Sequence, residues 1–390
     1  MNNAKLIAGI KKYTMIIALV VITIFFAWRT GGKILLPMNV TNLIAQNAYV
    51  YVLATGMLLC ILTGGNIDLS VGSVVCFVGA VGAKMLDKGF NVWVSVLAML
   101  IVGLIIGAFQ GYWIAYQKVP PFIATLAGML AFRGLSNVVL DGMTVSITNQ
   151  TFIDVFGGGS NCYVPDFLGG TGINLTCMAV GVVACLIYII VQARSRMDCI
   201  KKGYVSEPMG SMVIKAVLIC IVILVFSYKL AMNKGIPTAL IWIMLVVLFY
   251  GYVTTKTRIG RYLYAIGGNE KATKLSGINT ERVYFIAYAN MGMLAGLAGI
   301  LTIARMTSSQ PTYGQSYEMD AIGSCFIGGA SAYGGVGTVS GVVVGATLMG
   351  VINLGMSIMG VDANYQKVVK GLVLLFAVIF DVLSKKENSK

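Results

Sequence analysis

The chain contains no histidine among its 390 residues, and only 11% of its residues are charged. Histidine is the commonest general base and metal ligand, so its absence removes the usual starting point for both kinds of chemistry. The sequence also lacks the CxxC, HExxH and GxSxG patterns of redox, zinc and hydrolase sites, and the GxxxxGK[ST] phosphate loop. We therefore expect neither an enzyme nor an ATP-hydrolysing subunit, and no cofactor or metal in this chain.

The scarcity of charge indicates a membrane protein. Hydrophobic residues make up 58% of the sequence, whereas about a quarter of the residues in a soluble domain are charged. A helical span needs about 20 apolar residues, so the length allows ten to twelve spans. The apolar runs are continuous and do not alternate with polar residues, which excludes a transmembrane barrel. We predict an all-α polytopic membrane protein, one transmembrane domain over residues 1–390, with a broken or re-entrant helix at 319–333.

Membrane orientation accounts for the net charge of +14 better than nucleic-acid binding does, because Lys and Arg are spread between the apolar runs. Residues 134–193 contain neither residue, whereas four basic residues follow between 194 and 202. Since basic loops favour the cytoplasm, we expect both termini and the loop 255–282 on that side. Several basic residues fall on the opposite side in this topology. They are Arg29, Lys33, Lys84, Lys88, Lys229, Lys234, Arg305, Lys367 and Lys370.

The loop 255–282, TKTRIGRYLYAIGGNEKATKLSGINTER, is a polar, basic segment between two long apolar runs. Its middle, residues 267–277, predicts a turn, a short helix and a glycine stop. Ala272 and Leu275 are three residues apart and so share one face of that helix. A small apolar face outside the membrane suits docking onto a partner, although an ordinary solvated loop remains the alternative.

Two glycine-rich segments interrupt the apolar runs. Residues 63–73 read TGGNIDLSVGS, and residues 327–341 read IGGASAYGGVGTVSG. The first segment predicts a helix start with Asp68 or Ser70 as N-cap, and a carboxylate so close to the membrane interior is a functional candidate. Paired glycine-broken segments in the two halves of a transporter indicate a transport pathway, and close helix packing is the alternative.

Arg133 is the basic residue placed deepest within a predicted span. The span opens at the double proline Pro120-Pro121, and twelve residues of helix bring the guanidinium group near the middle of the bilayer. A charge there needs a carboxylate, carbonyl or water partner. Asp68 and Asp320 are the candidate carboxylates, and a structural ion pair and a substrate contact both remain open.

Four segments together resemble the permease subunits of bacterial ABC importers for monosaccharides, of the ribose, galactose and xylose type. They are GGNIDLSVGS, PPFIATLAGMLAFRGL, GRYLYAIGGNEKATKLSGINTERV and IGGASAYGGVGTVSGVVVGATLMGVINLGM. They occur in the family's order and the resemblance covers roughly 40–193 and 256–384. It implies an all-helical permease of the bacterial plasma membrane.

The resemblance also implies partners and a coupling site. Family members work as a pair of permeases, here expected to be a homodimer, with two ABC ATPase domains that bind ATP and Mg²⁺ and an external sugar-binding protein. The family's coupling helix maps to residues 269–277, where Glu270, Ala272 and Gly277 match its E-x-A-x(4)-G pattern. The expected coupling residues are Asn269, Glu270, Ala272, Leu275 and Gly277, and the helix is expected to dock into a cleft of the ATPase.

The sugar is uncharged, so hydrogen-bonding groups are expected along its path. The translocation-path candidates are Asn66, Asp68, Ser70, Arg133, Asn290 and Ser324. An apparent two-span insertion at 194–254 resembles the xylose and multiple-monosaccharide branch, which favours xylose or a range of aldoses. The alternatives are a permease for another small neutral solute such as a nucleoside, an exporter, and an ion-coupled secondary transporter, which the near absence of intramembrane acids disfavours.

Overall fold

The computed structural model describes residues 2–159, 161–203 and 208–388, which form sixteen α-helices and one two-stranded antiparallel ladder. The predicted all-α class is confirmed. The helices are α1 (Asn2–Arg29), α2 (Pro37–Gln46), α3 (Ala48–Leu62), α4 (Val71–Asp87), α5 (Val92–Ala115), α6 (Pro121–Leu140), α7 (Gln150–Phe156), α8 (Leu175–Lys201), α9 (Met209–Ala231), α10 (Thr238–Lys256), α11 (Arg258–Gly268), α12 (Glu270–Leu275), α13 (Thr280–Met306), α14 (Tyr317–Ile327), α15 (Val339–Ile358) and α16 (Ala363–Asn388). The strands are β1 (Val145–Ser146) and β2 (Ser308–Ser309).

Seven helices among the described residues are long and apolar enough to cross a bilayer, namely α5, α6, α8, α9, α10, α13 and α15. The pair α2 and α3, interrupted at Asn47, gives an eighth if it forms one bent span. The sequence-based number of ten to twelve is higher, in part because other apolar runs fold into shorter helices: α4 has 17 residues and α14 has 11. Helix α14 ends at Ile327 and the next helix begins at Val339, so only the first part of the run 319–333 is helical, and the broken or re-entrant helix there stays a prediction. Met1, residue 204 and the last two residues, for which the sequence predicts a membrane side, lie outside the described part of the chain.

The chain divides into two compact units. The smaller unit comprises residues 35–42 and 163–237 and contains the antiparallel helices α8 and α9. These two helices approach closely at one end, where Ser227 Oγ donates 3.1 Å to the Cys177 carbonyl and a Cβ atom on Gly181 would overlap Ser227. The segment 194–254, predicted to be an insertion, begins within α8 and ends within α10, so its bounds differ from those of this unit.

The larger unit comprises residues 1–34, 43–162 and 238–390, and α3 and α13 form its core. Both helices are apolar on all sides and are buried over most of their length, as expected of central helices. Glycines let α5 pack directly on the α13 backbone: a Cβ atom on Gly103 would overlap the Gly292 carbonyl, and one on Gly107 would overlap that of Tyr288. Such close packing stabilises helix pairs in lipid, where the hydrophobic effect between helices is absent. The segment α11–α12 lies at the N-terminal end of α13.

Candidate functional site

The short helix α12 forms where the sequence predicts it. The Asn269 side chain accepts a hydrogen bond of 3.0 Å from the Ala272 N–H, a normal N-cap, and Gly277 ends the segment at φ +80°. Ala272 and Leu275 are both exposed, Leu275 at 89%, whereas Thr273 points inward and is buried. The apolar face of α12 therefore points away from the rest of the protein, as docking onto a partner requires.

A second helix, α11, precedes α12 and was missed by sequence reasoning. Gly267 and Gly268, predicted to form a turn, belong to its last turn. The Tyr264 hydroxyl donates a hydrogen bond of 2.7 Å to the Gly337 carbonyl, and burial raises the pKa of Tyr264, so the phenol keeps its proton. This contact ties α11 to the second glycine-rich segment.

The two glycine-rich segments meet each other at the end of α11. A Cβ atom on Gly65 would overlap the Ala332 carbonyl, and one on Gly334 would overlap the Gly64 backbone. The Gly335 N–H donates 3.1 Å to the Leu62 carbonyl, and both of these backbones lie against Gly267. Three backbone segments thus touch with no side chain between them, which only glycine allows. The two glycine-rich segments can be related from the sequence only by their similar composition. The structure shows that they meet and that Gly267 of α11 is the third participant.

Asp68 is held by the chain around it. Its Oδ1 accepts hydrogen bonds from the Ser70 N–H at 2.8 Å and the Ser70 hydroxyl at 2.6 Å, and Gln110 Nε2 donates 2.9 Å to the same hydroxyl. Asp68 is 2% exposed and Ser70 is fully buried. Ser70 lies at the N-cap of α4 without a side-chain capping bond. Ser70 therefore occupies one of the two predicted N-cap positions, but its hydroxyl donates to Asp68 and does not cap α4.

Arg133 is bound by backbone carbonyls. Its Nη1 donates hydrogen bonds of 2.6 Å to Tyr313 and 3.2 Å to Pro311. Of the partner types considered from the sequence, the carbonyl is the one observed, and neither Asp68 nor Asp320 is hydrogen-bonded to Arg133 within the described residues. The guanidinium group consequently fixes the polar segment between β2 and α14.

Asp320 pairs with a lysine that the charge pattern placed among the exceptions. Lys370 Nζ lies 3.0 Å from the Asp320 carboxylate, and the Tyr49 hydroxyl donates 2.7 Å to the same group. The Tyr49 ring also stacks on Tyr317, with centroids 3.6 Å apart. This cluster joins α3, α14 and α16. A lysine and an aspartate within predicted apolar runs are the signals of this cluster in the sequence.

The remaining path candidates are not gathered in one place. The Asn290 side chain accepts 2.8 Å from the Tyr250 hydroxyl and donates 2.8 Å to the Ile286 carbonyl. Ser324 is fully buried and its hydroxyl donates 2.6 Å to the Asp320 carbonyl one turn earlier. Asn290 thus links α13 to α10, and Ser324 is engaged within α14.

Asn66, one of the path candidates, lines an open cleft. The cleft has a volume of about 170 Å³ and lies between α12, the start of α13 and the α5–α6 connection. Its lining residues are Asn66, Ile114, Lys118, Val119, Pro120, Pro121, Glu270 and Tyr284. The carboxylate, amide, ammonium and phenol groups there are donors and acceptors for a neutral polar molecule or for one another.

The sequence of the chain is similar to those of transport permeases over almost its whole length. Residues 39–378 match the family described as "Branched-chain amino acid transport system / permease component". The chain is 37% identical over 381 residues to the xylose transport system permease protein XylH of Escherichia coli (strain K12), covering 97% of this chain and 94% of XylH. Identity to XylH of Haemophilus influenzae is 38% over 382 residues, covering 97% and 98% of the two chains.

A ribose permease is also similar. The chain is 36% identical over 344 residues to the ribose import permease protein RbsC of Escherichia coli (strain K12), covering 88% of this chain and 85% of RbsC. No solved structure matches the chain. The relatives named for two different pentoses therefore align with most of this sequence, and the xylose permeases align with nearly all of it.

Proposed function

The chain belongs to this permease family, and on that premise we propose that it is the membrane-spanning subunit of an ATP-driven importer of a monosaccharide, with xylose as the first candidate. The observation that carries the proposal is the similarity to xylose permeases over 97% of the chain. The chain is a transport subunit and not an enzyme. Ribose is the second candidate, because RbsC aligns with 88% of the chain.

The ATPase partner docks on α12 in this proposal. The exposed pair Ala272 and Leu275 provides a small apolar face, and Lys271 and Lys274 flank it with positive charge. Burying one leucine side chain contributes about 1.5–3 kcal/mol, enough for Leu275 to anchor a transient interface. ATP and Mg²⁺ bind to the partner. The loop 255–282 and both termini then face the cytoplasm.

An external sugar-binding protein and a second copy of the permease complete the proposed importer. The binding protein delivers sugar to the side opposite α12, and closure of the ATPases on ATP moves the docked helices. Asn66 is a path candidate with open space beside it. Asp68, Ser70, Arg133, Asn290 and Ser324 have protein partners in this structure, so a contact between any of them and sugar requires that they exchange those partners.

Uptake of radiolabelled sugars tests this proposal. The permease, its ATPase and its binding protein are expressed in cells that lack their own pentose systems, and xylose, ribose, arabinose and galactose are compared. We expect ATP-dependent uptake of xylose. Leu275→Asp should reduce both ATPase association and uptake, whereas Leu275→Met, which keeps the apolar face, should preserve them. An assembled complex that takes up none of these sugars would overturn the monosaccharide assignment.

A further inference from the structure

Tyr284 bridges α12 and the first glycine-rich segment. It lies one turn into α13, and its hydroxyl donates 3.2 Å to Glu270 Oε2 in the first turn of α12. The Asn66 side chain lies beside this hydroxyl: both residues line the cleft, and a Cβ atom on Gly64 would lie 3.7 Å from the Tyr284 hydroxyl and 3.9 Å from Asn66 Nδ2. The Tyr284 hydroxyl therefore contacts the proposed docking helix and lies beside the connection between α3 and α4.

The carboxylates at this end of the protein have different partners. Glu281 lies 3.3 Å from Lys118 Nζ and 3.8 Å from Lys274 Nζ, so it joins two lysines at the protein surface. Glu270 instead faces the cleft and contacts Tyr284. Because Glu270 belongs to α12, any displacement of that helix acts directly on the Tyr284 hydroxyl.

Asn66 belongs to the first glycine-rich segment. It follows Gly65, whose backbone lies so close to the Ala332 carbonyl that no Cβ atom fits between them. Asn66 is also fixed locally, since its Nδ2 donates 3.3 Å to the Thr63 carbonyl. A shift of Asn66 also moves the Gly65 backbone. Because the Gly65 backbone is in direct contact with the Ala332 carbonyl, the shift displaces the second glycine-rich segment as well.

We propose that the Tyr284 hydroxyl is the positioning group that couples movement of α12 to the two glycine-rich segments, through Glu270 on one side and Asn66 on the other. This inference rests on the proposed function. It predicts that removal of the hydroxyl leaves ATP hydrolysis poorly linked to transport, because the ATPase still moves α12 but the glycine-rich segments no longer follow. The loss of one hydrogen bond to a charged group corresponds to about a tenfold change in an equilibrium.

The test measures sugar transported per ATP hydrolysed in proteoliposomes that contain the complete importer. Tyr284→Phe removes only the hydroxyl, and we expect this ratio to fall about tenfold. Tyr288→Phe is the matched control, since Tyr288 lies one turn further along α13 and its buried hydroxyl has no hydrogen-bond partner among the described residues. That control should keep the wild-type ratio.

A double-mutant cycle separates coupling from a general structural effect. Glu270→Ala and Tyr284→Phe, alone and together, should give strongly non-additive ratios, because each removes one partner of the same hydrogen bond. Additive effects, or a wild-type ratio in Tyr284→Phe, would overturn the inference while leaving the proposed function in place. Absence of ATP-dependent uptake by the wild-type importer would overturn both.

Discussion

The ammonium group of Lys370 lies 3.0 Å from the carboxylate of Asp320, and the two side chains are only 14% and 1% exposed. This buried ion pair joins α16 to α14, and Tyr49 adds a hydrogen bond from α3. Two opposite charges this deep stabilise each other only while both are present, since desolvation penalises either one alone. Lys370 thus departs from the charge pattern of the loops because its partner lies in the protein interior.

Removing one member of this pair should destabilise the protein by about 3–5 kcal/mol. Asp320→Asn or Lys370→Met leaves the other charge buried without its counter-ion. The double variant should recover much of the loss, because both desolvation costs disappear. Thermal unfolding of the purified protein in detergent measures the effect, and single and double variants of equal stability would contradict it.

Gly277→Ala should abolish uptake without preventing membrane insertion. Gly277 has φ +80° and open space around it, so the substitution strains the backbone but meets no neighbour. An alanine in this left-handed region costs roughly 1–2 kcal/mol and reorients the exit from α12. Gly360→Ala is the matched control, with φ +71° and equally open surroundings far from α12 in the sequence. Equal uptake by the two variants would contradict a role of the α12 exit in coupling.

Arg133→Met should increase amide hydrogen exchange in residues 312–316. The variant loses the two hydrogen bonds to the Pro311 and Tyr313 carbonyls, while Arg133→Lys keeps a charge but not the planar guanidinium group. We expect partial protection in the lysine variant. Lys84→Met serves for comparison: its ion pair with Asp141, at 3.2 Å, is largely exposed and contributes under about 1 kcal/mol. Unchanged exchange in Arg133→Met would refute the proposed restraint.

Asp166 should hold its loop in place down to strongly acidic pH. Partial desolvation acts to raise the pKa of Asp166, but hydrogen bonds from Thr176, Gly170 and Leu175 outweigh it and lower that pKa well below its ordinary value. A lowered folded-state pKa contributes stability that is complete above the unfolded-state pKa and is lost as pH falls through the folded-state pKa. Amide exchange near residue 170 should therefore stay slow at pH 4. Asp166→Asn should speed it already at pH 7, and equal protection in both proteins would contradict the prediction.

Much of the fold could be predicted because continuous apolar runs in lipid have few alternatives to helices. The start of α12, its glycine stop and its exposed apolar pair also follow from local sequence, since capping and turn chemistry act over a few residues. The partners of Arg133 could not be predicted, because carbonyl groups are present at every residue and leave no signature. Helix α11 was missed for a related reason: its paired glycines are typical of a turn.

Contacts between distant segments were the other gap. Composition pairs the two glycine-rich segments, but their approach to Gly267 depends on how α3, α11 and α14 pack. Asn290 is predicted as a path residue because it is polar within an apolar run, whereas its hydrogen bond to Tyr250 depends on the packing of the neighbouring helix α10. A polar residue within a span needs a partner, but the sequence does not specify whether that partner is substrate or protein.

The meeting of residues 63–73 with 327–341 also has a consequence for biogenesis. The two segments are separated by most of the chain, so their contact has a large sequence separation and forms late in folding. At roughly 5–20 residues per second, the ribosome delivers the second segment on the order of ten seconds or more after the first. During that interval the turn at Gly64 and Gly65 lacks its native neighbour, and the nascent permease depends on lipid, water or the insertion machinery to shield the exposed backbone.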